Sequence, residues 1–192
     1  MRLATVTAIL ALATSAYAIP PVPRPAKEFV VVEPSGKQDL LTSYKGKVVY
    51  IQFLYTTCPH CQHLSQVMTK LSAELAPKGL QVLGVAFDEA TAQKADSYVK
   101  QFGVGFPVGY ASRETVQSYL GLSVMDRFAV PQVVIIDRKG GIRAQSEPMG
   151  TEQLQDENYL RTYLTGLLKE TGSTTTTKKA PATTAAAKKT SE

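Results

Sequence analysis

Val48-Val49-Tyr50-Ile51-Gln52-Phe53-Leu54 leads through Tyr55-Thr56-Thr57 into Cys58-Pro59-His60-Cys61, followed by Gln62-His63-Leu64. The first seven residues are almost all β-branched, aromatic or aliphatic, which reads as a strand over 47–54 buried on both faces. Beyond the cysteines, Leu64, Val67, Met68, Leu71 and Leu75 recur at helical spacing. Pro77 and Gly79 stop that helix. A pair of cysteines two residues apart, between a buried strand and an amphipathic helix, cannot staple distant parts of a chain. It is spaced for chemistry. Cys58 falls at the helix N-cap, where unpaired N–H groups and the helix dipole favour a thiolate, the nucleophile of disulfide exchange. Pro59 suits the first helical position, where no N–H partner is needed. His60 can add positive charge or a hydrogen bond. Cys61, three positions on, brings its sulfur to face that of Cys58.

Away from this stretch, strands and helices alternate. Residues 29–32 read as a short strand and 80–87 as a second buried strand. A polar helix over 89–102 carries Ala92, Ala95, Tyr98 and Val99 as its apolar stripe. A short strand at 106–110 and a helix at 113–120 follow. Residues 132–137 and 142–145 form a hairpin across Arg138-Lys139-Gly140-Gly141. The last helix presents Leu160, Tyr163, Leu164, Leu167 and Leu168 and is capped by Asp156. The order predicts an α/β fold: a mostly parallel sheet covered on both faces, with an antiparallel C-terminal edge. Asp88 and Glu89 read as a helix start rather than a site edge. Tyr50, Phe53 and Tyr55 read as core and active-site rim, and His63 as a surface residue of its helix.

The ends of the 192-residue chain differ from its middle. Arg2, an apolar run over 3–13 and Ala16/Ala18 resemble a cleaved signal peptide over 1–18. Residues 19–37 read as a lead-in, stiffened by Pro20, Pro21, Pro23 and Pro25. Residues 171–192 hold little beyond Thr, Lys and Ala and read as a disordered tail, a spacer or a weak tether to an anionic surface. The stretch between, 38–170, is one domain. The net charge of +5 is mostly in the ends: Arg2 and an excess of three positive charges in 171–192 leave +1 for all the residues between. That excludes a basic nucleic-acid-binding domain. After cleavage no run is long enough to span a membrane. The expected setting is the periplasm or the extracellular space.

At these residues the sequence resembles the thioredoxin superfamily, nearest the extracytoplasmic TlpA/ResA type within the AhpC/TSA redoxin grouping. Three features carry the resemblance: the entry Asp39-Leu40-Leu41 to Lys45-Gly46-Lys47 into the strand, the CxxC that follows, and Val130-Pro131 directly before Gln132-Val133-Val134-Ile135-Ile136. It implies a three-layer thioredoxin-like fold with a βα insertion near 80–103. It also implies a cis Pro131 packed against the cysteine pair, and a substrate-binding role for Val130 and Pro131. The activity implied is thiol–disulfide exchange with cysteine-containing proteins, by a monomer without cofactor, served by a separate redox partner. The Pro59-His60 pair matches the oxidising DsbA family. Three departures stand out. Thr57 replaces a Trp, Gln52 replaces a buried acid, and Leu64 replaces a Glu, so His60, His63 or water would have to move protons.

Other readings are weaker. Cys58, His60, Cys61 and His63 lie too close together for a four-ligand metal site. Copper delivery of the Sco type needs a later His, and covalent haem needs a His where Gln62 stands. A structural disulfide closing so small a loop contributes little. A peroxiredoxin-like peroxidase using Cys58 would have Pro and Thr where Tyr50 and Tyr55 stand. A redox-inert binding domain of the same fold is the remaining alternative.

Overall fold

The computed structural model describes residues 19–88 and 92–170. The expected signal peptide and tail, and Glu89, lie outside the described residues. Eight strands form one sheet: β1 (Arg24–Pro25), β2 (Val30–Val32), β3 (Gln38–Leu40), β4 (Val48–Leu54), β5 (Leu80–Ala86), β6 (Val108–Tyr110), β7 (Gln132–Ile136) and β8 (Gly141–Gln145), in the spatial order β1-β8-β7-β4-β5-β6-β2-β3. The helices are α1 (Pro59–Leu75), α2 (Ala92–Phe102), α3 (Arg113–Leu120) and α4 (Glu157–Lys169). β4, β5 and β6 are parallel, and the remaining pairings are antiparallel. Among the described residues no helix is long and apolar enough to cross a membrane.

β4 is central and buried along its full length. Its side chains alternate between two cores. Val48, Tyr50 and Leu54 pack with α1, α2 and α4, whereas Val49, Ile51 and Phe53 pack with α3 and the N-terminal Phe29. The result is three layers, helix over sheet over helix. Residues Leu64, Val67, Met68, Leu71 and Leu75 are the buried stripe of α1, as their spacing predicts. Each such side chain contributes about 1.5–3 kcal/mol by leaving water. Asp156 caps α4, its carboxylate accepting from the Tyr159 N–H at 2.7 Å.

The sheet reaches further toward the N-terminus than the sequence reading. Arg24–Pro25, read as lead-in, pairs with β8, and β3 pairs with β2. Proline fits an edge strand, where its missing N–H leaves no ladder bond unmade. β2 approaches β6 so closely that a β-carbon at Gly109 would sit 2.5 Å from the Val32 carbonyl oxygen, so glycine is required there. Gly121, at φ 75°, ends α3 in the left-handed conformation and accepts Pro20 against its α-carbon.

Register decides where function can sit. β5 runs parallel to β4 with Leu54 opposite Ala86; β7 runs antiparallel with Phe53 opposite Gln132. The end of β4, the end of β5 and the start of β7 therefore meet at one edge. Cys58, Asp88 and Pro131 each lie just beyond those strand ends.

Candidate active site

Cys58 is the N-cap of α1 and is half-buried. Its backbone N–H donates to the Tyr55 carbonyl at 3.2 Å, and its carbonyl accepts the first helical bond from Gln62 N–H at 3.0 Å. The sulfur accepts from the Cys61 N–H at 3.4 Å, and its thiol donates to the Val130 carbonyl at 3.8 Å. The Val130–Pro131 peptide bond is cis, as the resemblance implies, and Pro131 is buried. Cys58, Cys61, Val130 and Pro131 thus come together. Pro59 occupies the first position of α1. His60 and His63 are exposed on α1 and make no hydrogen bond or ion pair among the described residues.

Cys61 is fully buried. Burial, and then its hydrogen bond with Cys58, push its thiol well above the ordinary value. A small polar network grips its backbone. Gln52 Nε2 donates to the Cys61 carbonyl at 2.9 Å, and the Tyr98 hydroxyl donates to the same oxygen at 3.1 Å. Ser65 bridges the two, 3.2 Å from Gln52 Oε1 and 2.8 Å from the Tyr98 hydroxyl. Burial also raises the Tyr98 phenol. The two cysteines are thereby unlike: one sulfur sits at a helix tip near solvent, the other beneath it in a protonated state.

A cleft of about 860 Å³ opens beside Thr57. Along it the Tyr55 and Phe87 rings stand 4.7 Å apart, and Phe87 stacks on Phe128 at 5.9 Å. Arg113 lies 4.9 Å over the Phe128 ring and donates to the Tyr55 hydroxyl at 2.6 Å. Tyr55 is at the rim, whereas Tyr50 and Phe53 are in the two cores. Val124 and Met125, in the loop before Pro131, are 73% and 85% exposed. Among the described residues no three His, Cys, Asp or Glu side chains converge as metal ligands.

The AhpC/TSA family model matches residues 22–145, about two-thirds of the chain. The chain belongs to the AhpC/TSA family. Among curated relatives of this family member is the thiol-disulfide oxidoreductase ResA of Bacillus thuringiensis (strain Al Hakam), 29% identical over 136 residues, covering 71% of this chain and 75% of the relative. The ResA of Halalkalibacterium halodurans is 28% identical and covers 69% and 72%. Of solved structures, the thiol:disulfide interchange protein of the thioredoxin family from Chlorobium tepidum TLS superposes with a TM-score of 0.63 at 23% identity, over 78% of this chain and 99% of its own. The fold is thioredoxin-like.

Two residues of this AhpC/TSA-family site escape a reading of the sequence. Tyr98 belongs to the apolar stripe of α2, yet its hydroxyl reaches Cys61. Asp88 reaches across to the turn before Cys58: its carboxylate accepts from the Thr56 N–H at 2.7 Å and the Thr56 hydroxyl at 2.8 Å. An acid at the carboxyl end of a parallel strand, neighbouring the strand that carries a nucleophile, is the signal that marks Asp88, since ligand sites gather at such strand ends.

Proposed function

We propose that this chain is a thiol–disulfide oxidoreductase that exchanges its Cys58–Cys61 pair with cysteine-containing protein substrates. One observation carries the reading: an N-cap sulfur 3.4 Å from the Cys61 N–H and 3.8 Å from the Val130 carbonyl, beside a second, buried cysteine. The ResA name of its relatives agrees with it. In the reducing direction the Cys58 thiolate attacks a substrate disulfide, and one substrate sulfur leaves as a thiol. Cys61 then attacks the mixed disulfide, closes Cys58–Cys61 and releases the second substrate sulfur. The oxidising direction is the same path reversed. A separate redox partner restores the pair. Pro59 and His60 tune Cys58 from within its turn. Val130 and Pro131 hold the substrate backbone beside the sulfur, with the cleft along Tyr55 and Phe87 taking flanking side chains. The expected signal peptide supports a site of action in the periplasm or outside the cell, as a monomer.

Two variants test this. Cys58→Ala abolishes insulin reduction and disulfide formation. Cys61→Ala leaves the first attack intact and accumulates mixed disulfides, recoverable on a non-reducing gel. Full activity in Cys58→Ala would overturn the reading. The redox equilibrium of the pair in glutathione buffers then assigns direction, reductants lying near about −270 mV and donors of disulfides near about −120 mV.

A further inference from the structure

The end of the sheet opposite the cysteines is drawn together by hydrogen bonds between distant segments. Ala26 N–H donates to the Gly140 carbonyl at 2.9 Å, Gly46 N–H to the Arg138 carbonyl at 3.2 Å, and Val48 N–H to the Gly79 carbonyl at 3.0 Å. Arg138 Nη2 donates to the carbonyls of Lys78 and Leu168 at 3.0 and 3.1 Å. A lysine stands at or next to every one of these junctions: Lys27, Lys45, Lys47, Lys78, Lys139 and Lys169. All six are exposed, and none makes an ion pair among the described residues. The arginines here are spent internally, Arg138 on those carbonyls and Arg143 on Asp137 and Glu170 at 3.2 and 2.8 Å. Of the other nearby acids, Asp39 pairs with Lys37 at 2.6 Å, and Glu28 accepts from the N–H groups of Thr42 and Phe29. The residues between the two chain ends carry only +1. The lysines are therefore charge concentrated at one pole, not an excess spread over the whole. Among Lys27, Lys45, Lys47 and Lys139 lies a recess of about 280 Å³ that Leu41, Val49 and Ile136 help to line.

We infer that this lysine pole docks on an anionic lipid bilayer, the phosphate head groups being what it recognises. Gathered like charges without partners repel one another, and an oppositely charged surface relieves them. The choice of cation favours lipid over protein. A lysine ammonium is a hydrated point charge on a flexible stem and demands no fixed geometry, which suits mobile head groups. Protein interfaces are enriched in arginine and depleted in lysine. More charge of the same sign follows from the same pole, since α4 ends at Lys169 and 171–192 carry an excess of three positive charges. Docking there leaves the chemistry open. The seven residues of β4, at about 3.3 Å each, separate Lys47 from the edge that holds Cys58, so the sulfur faces away from the bilayer. This surface does not depend on the exchange reading.

The full-length chain is sedimented with vesicles of phosphatidylcholine alone and of phosphatidylcholine mixed with phosphatidylglycerol. It binds the mixed vesicles at low ionic strength and leaves them as salt screens the charges. Lys45→Gln/Lys139→Gln weakens binding on the order of thirtyfold, and Lys27→Gln/Lys47→Gln does the same. Lys100→Gln/Arg127→Gln removes equal charge elsewhere and keeps most of it. Residues 1–18 and 171–192 are common to every variant, so their contribution cancels. Alkylation of Cys58 by iodoacetamide proceeds at the same rate on vesicles as in solution. The inference is overturned if the pole variants bind as wild type does, if all three double variants lose binding equally, or if phosphatidylcholine alone binds as well. Capture of poly-glutamate through the same lysines, with the mixed vesicles left unbound, would make the pole a surface for an acidic protein instead. Slower alkylation on vesicles would overturn the outward orientation of Cys58. None of these outcomes alters the exchange assays, which test that reading separately.

Discussion

Tyr98 shows how a single atom can change the reading of a side chain. Its ring belongs to the core that joins α1 to α2, and Phe102 packs on it at 5.1 Å. Its hydroxyl joins Ser65 to the Cys61 carbonyl. Removing that oxygen leaves Ser65 short of a partner in a dry interior, where a hydrogen bond is worth about 1 kcal/mol and an orphaned group costs about 1–3 kcal/mol. Tyr98→Phe is expected to lose about 1–3 kcal/mol in urea unfolding of the reduced chain. Gln52, which still holds the Cys61 carbonyl, keeps the fold intact. Neither the Tyr98 contact with Cys61 nor the Asp88 contact with Thr56 is local in the sequence. Tyr98 lies 37 positions from Cys61 and Asp88 lies 32 from Thr56, and the register that unites them is a property of the sheet.

The elements divide by how local their causes are. The continuous apolar runs of β4, β5 and β7 and the stripe of α1 announce themselves, because each must be buried wherever it goes. The CxxC was legible for the same reason: strand, turn and helix are contiguous there. β1 and β3 are not legible. Two residues, Arg24 and Pro25, have no period, and Gln38–Leu40 buries only Asp39; each is a strand because of what lies beside it. The β7–β8 turn is local again. Asp137 accepts from the N–H groups of Lys139 and Gly141, both at 2.9 Å, and from Arg143 at 3.2 Å. Burial alone would raise its carboxyl, but these donors outweigh it and hold the group below the usual range. Its contribution is therefore present above the unfolded value of about 3.9 and lost as pH falls through the lower folded one. Asp137→Asn should cost about 1 kcal/mol at neutral pH, the exposed side of the Arg143 pair being screened. Unfolding curves of variant and wild type should converge in acid.

Taken together, the buried thiol and the buried phenols of the protein are weak acids. Cys61, Tyr50, Tyr98 and Tyr119 are all driven upward, chiefly by burial. The unfolded chain releases the corresponding protons from about pH 8.5 for the thiol and about pH 10 for the phenols, while the folded chain keeps them. Stability is thus fully present below about pH 8.5 and falls as pH rises, by about 1.4 kcal/mol per pH unit for each group that the two states hold differently. Between about pH 8.5 and 10 the slope belongs to the thiol. Denaturation of the reduced chain followed against pH should show it, and Cys61→Ala should flatten that part of the curve.

The two-residue strand at Arg24–Pro25 has a consequence of its own. It lies on β8, and Ala26 adds one more backbone bond to Gly140 at 2.9 Å. A neighbouring molecule seeking to extend the sheet on that side meets a short ribbon ending in an imino acid instead of an open row of amides. A blunted flank gives a passing extended chain little to add to, so this side of the sheet is guarded against growth into a shared fibre.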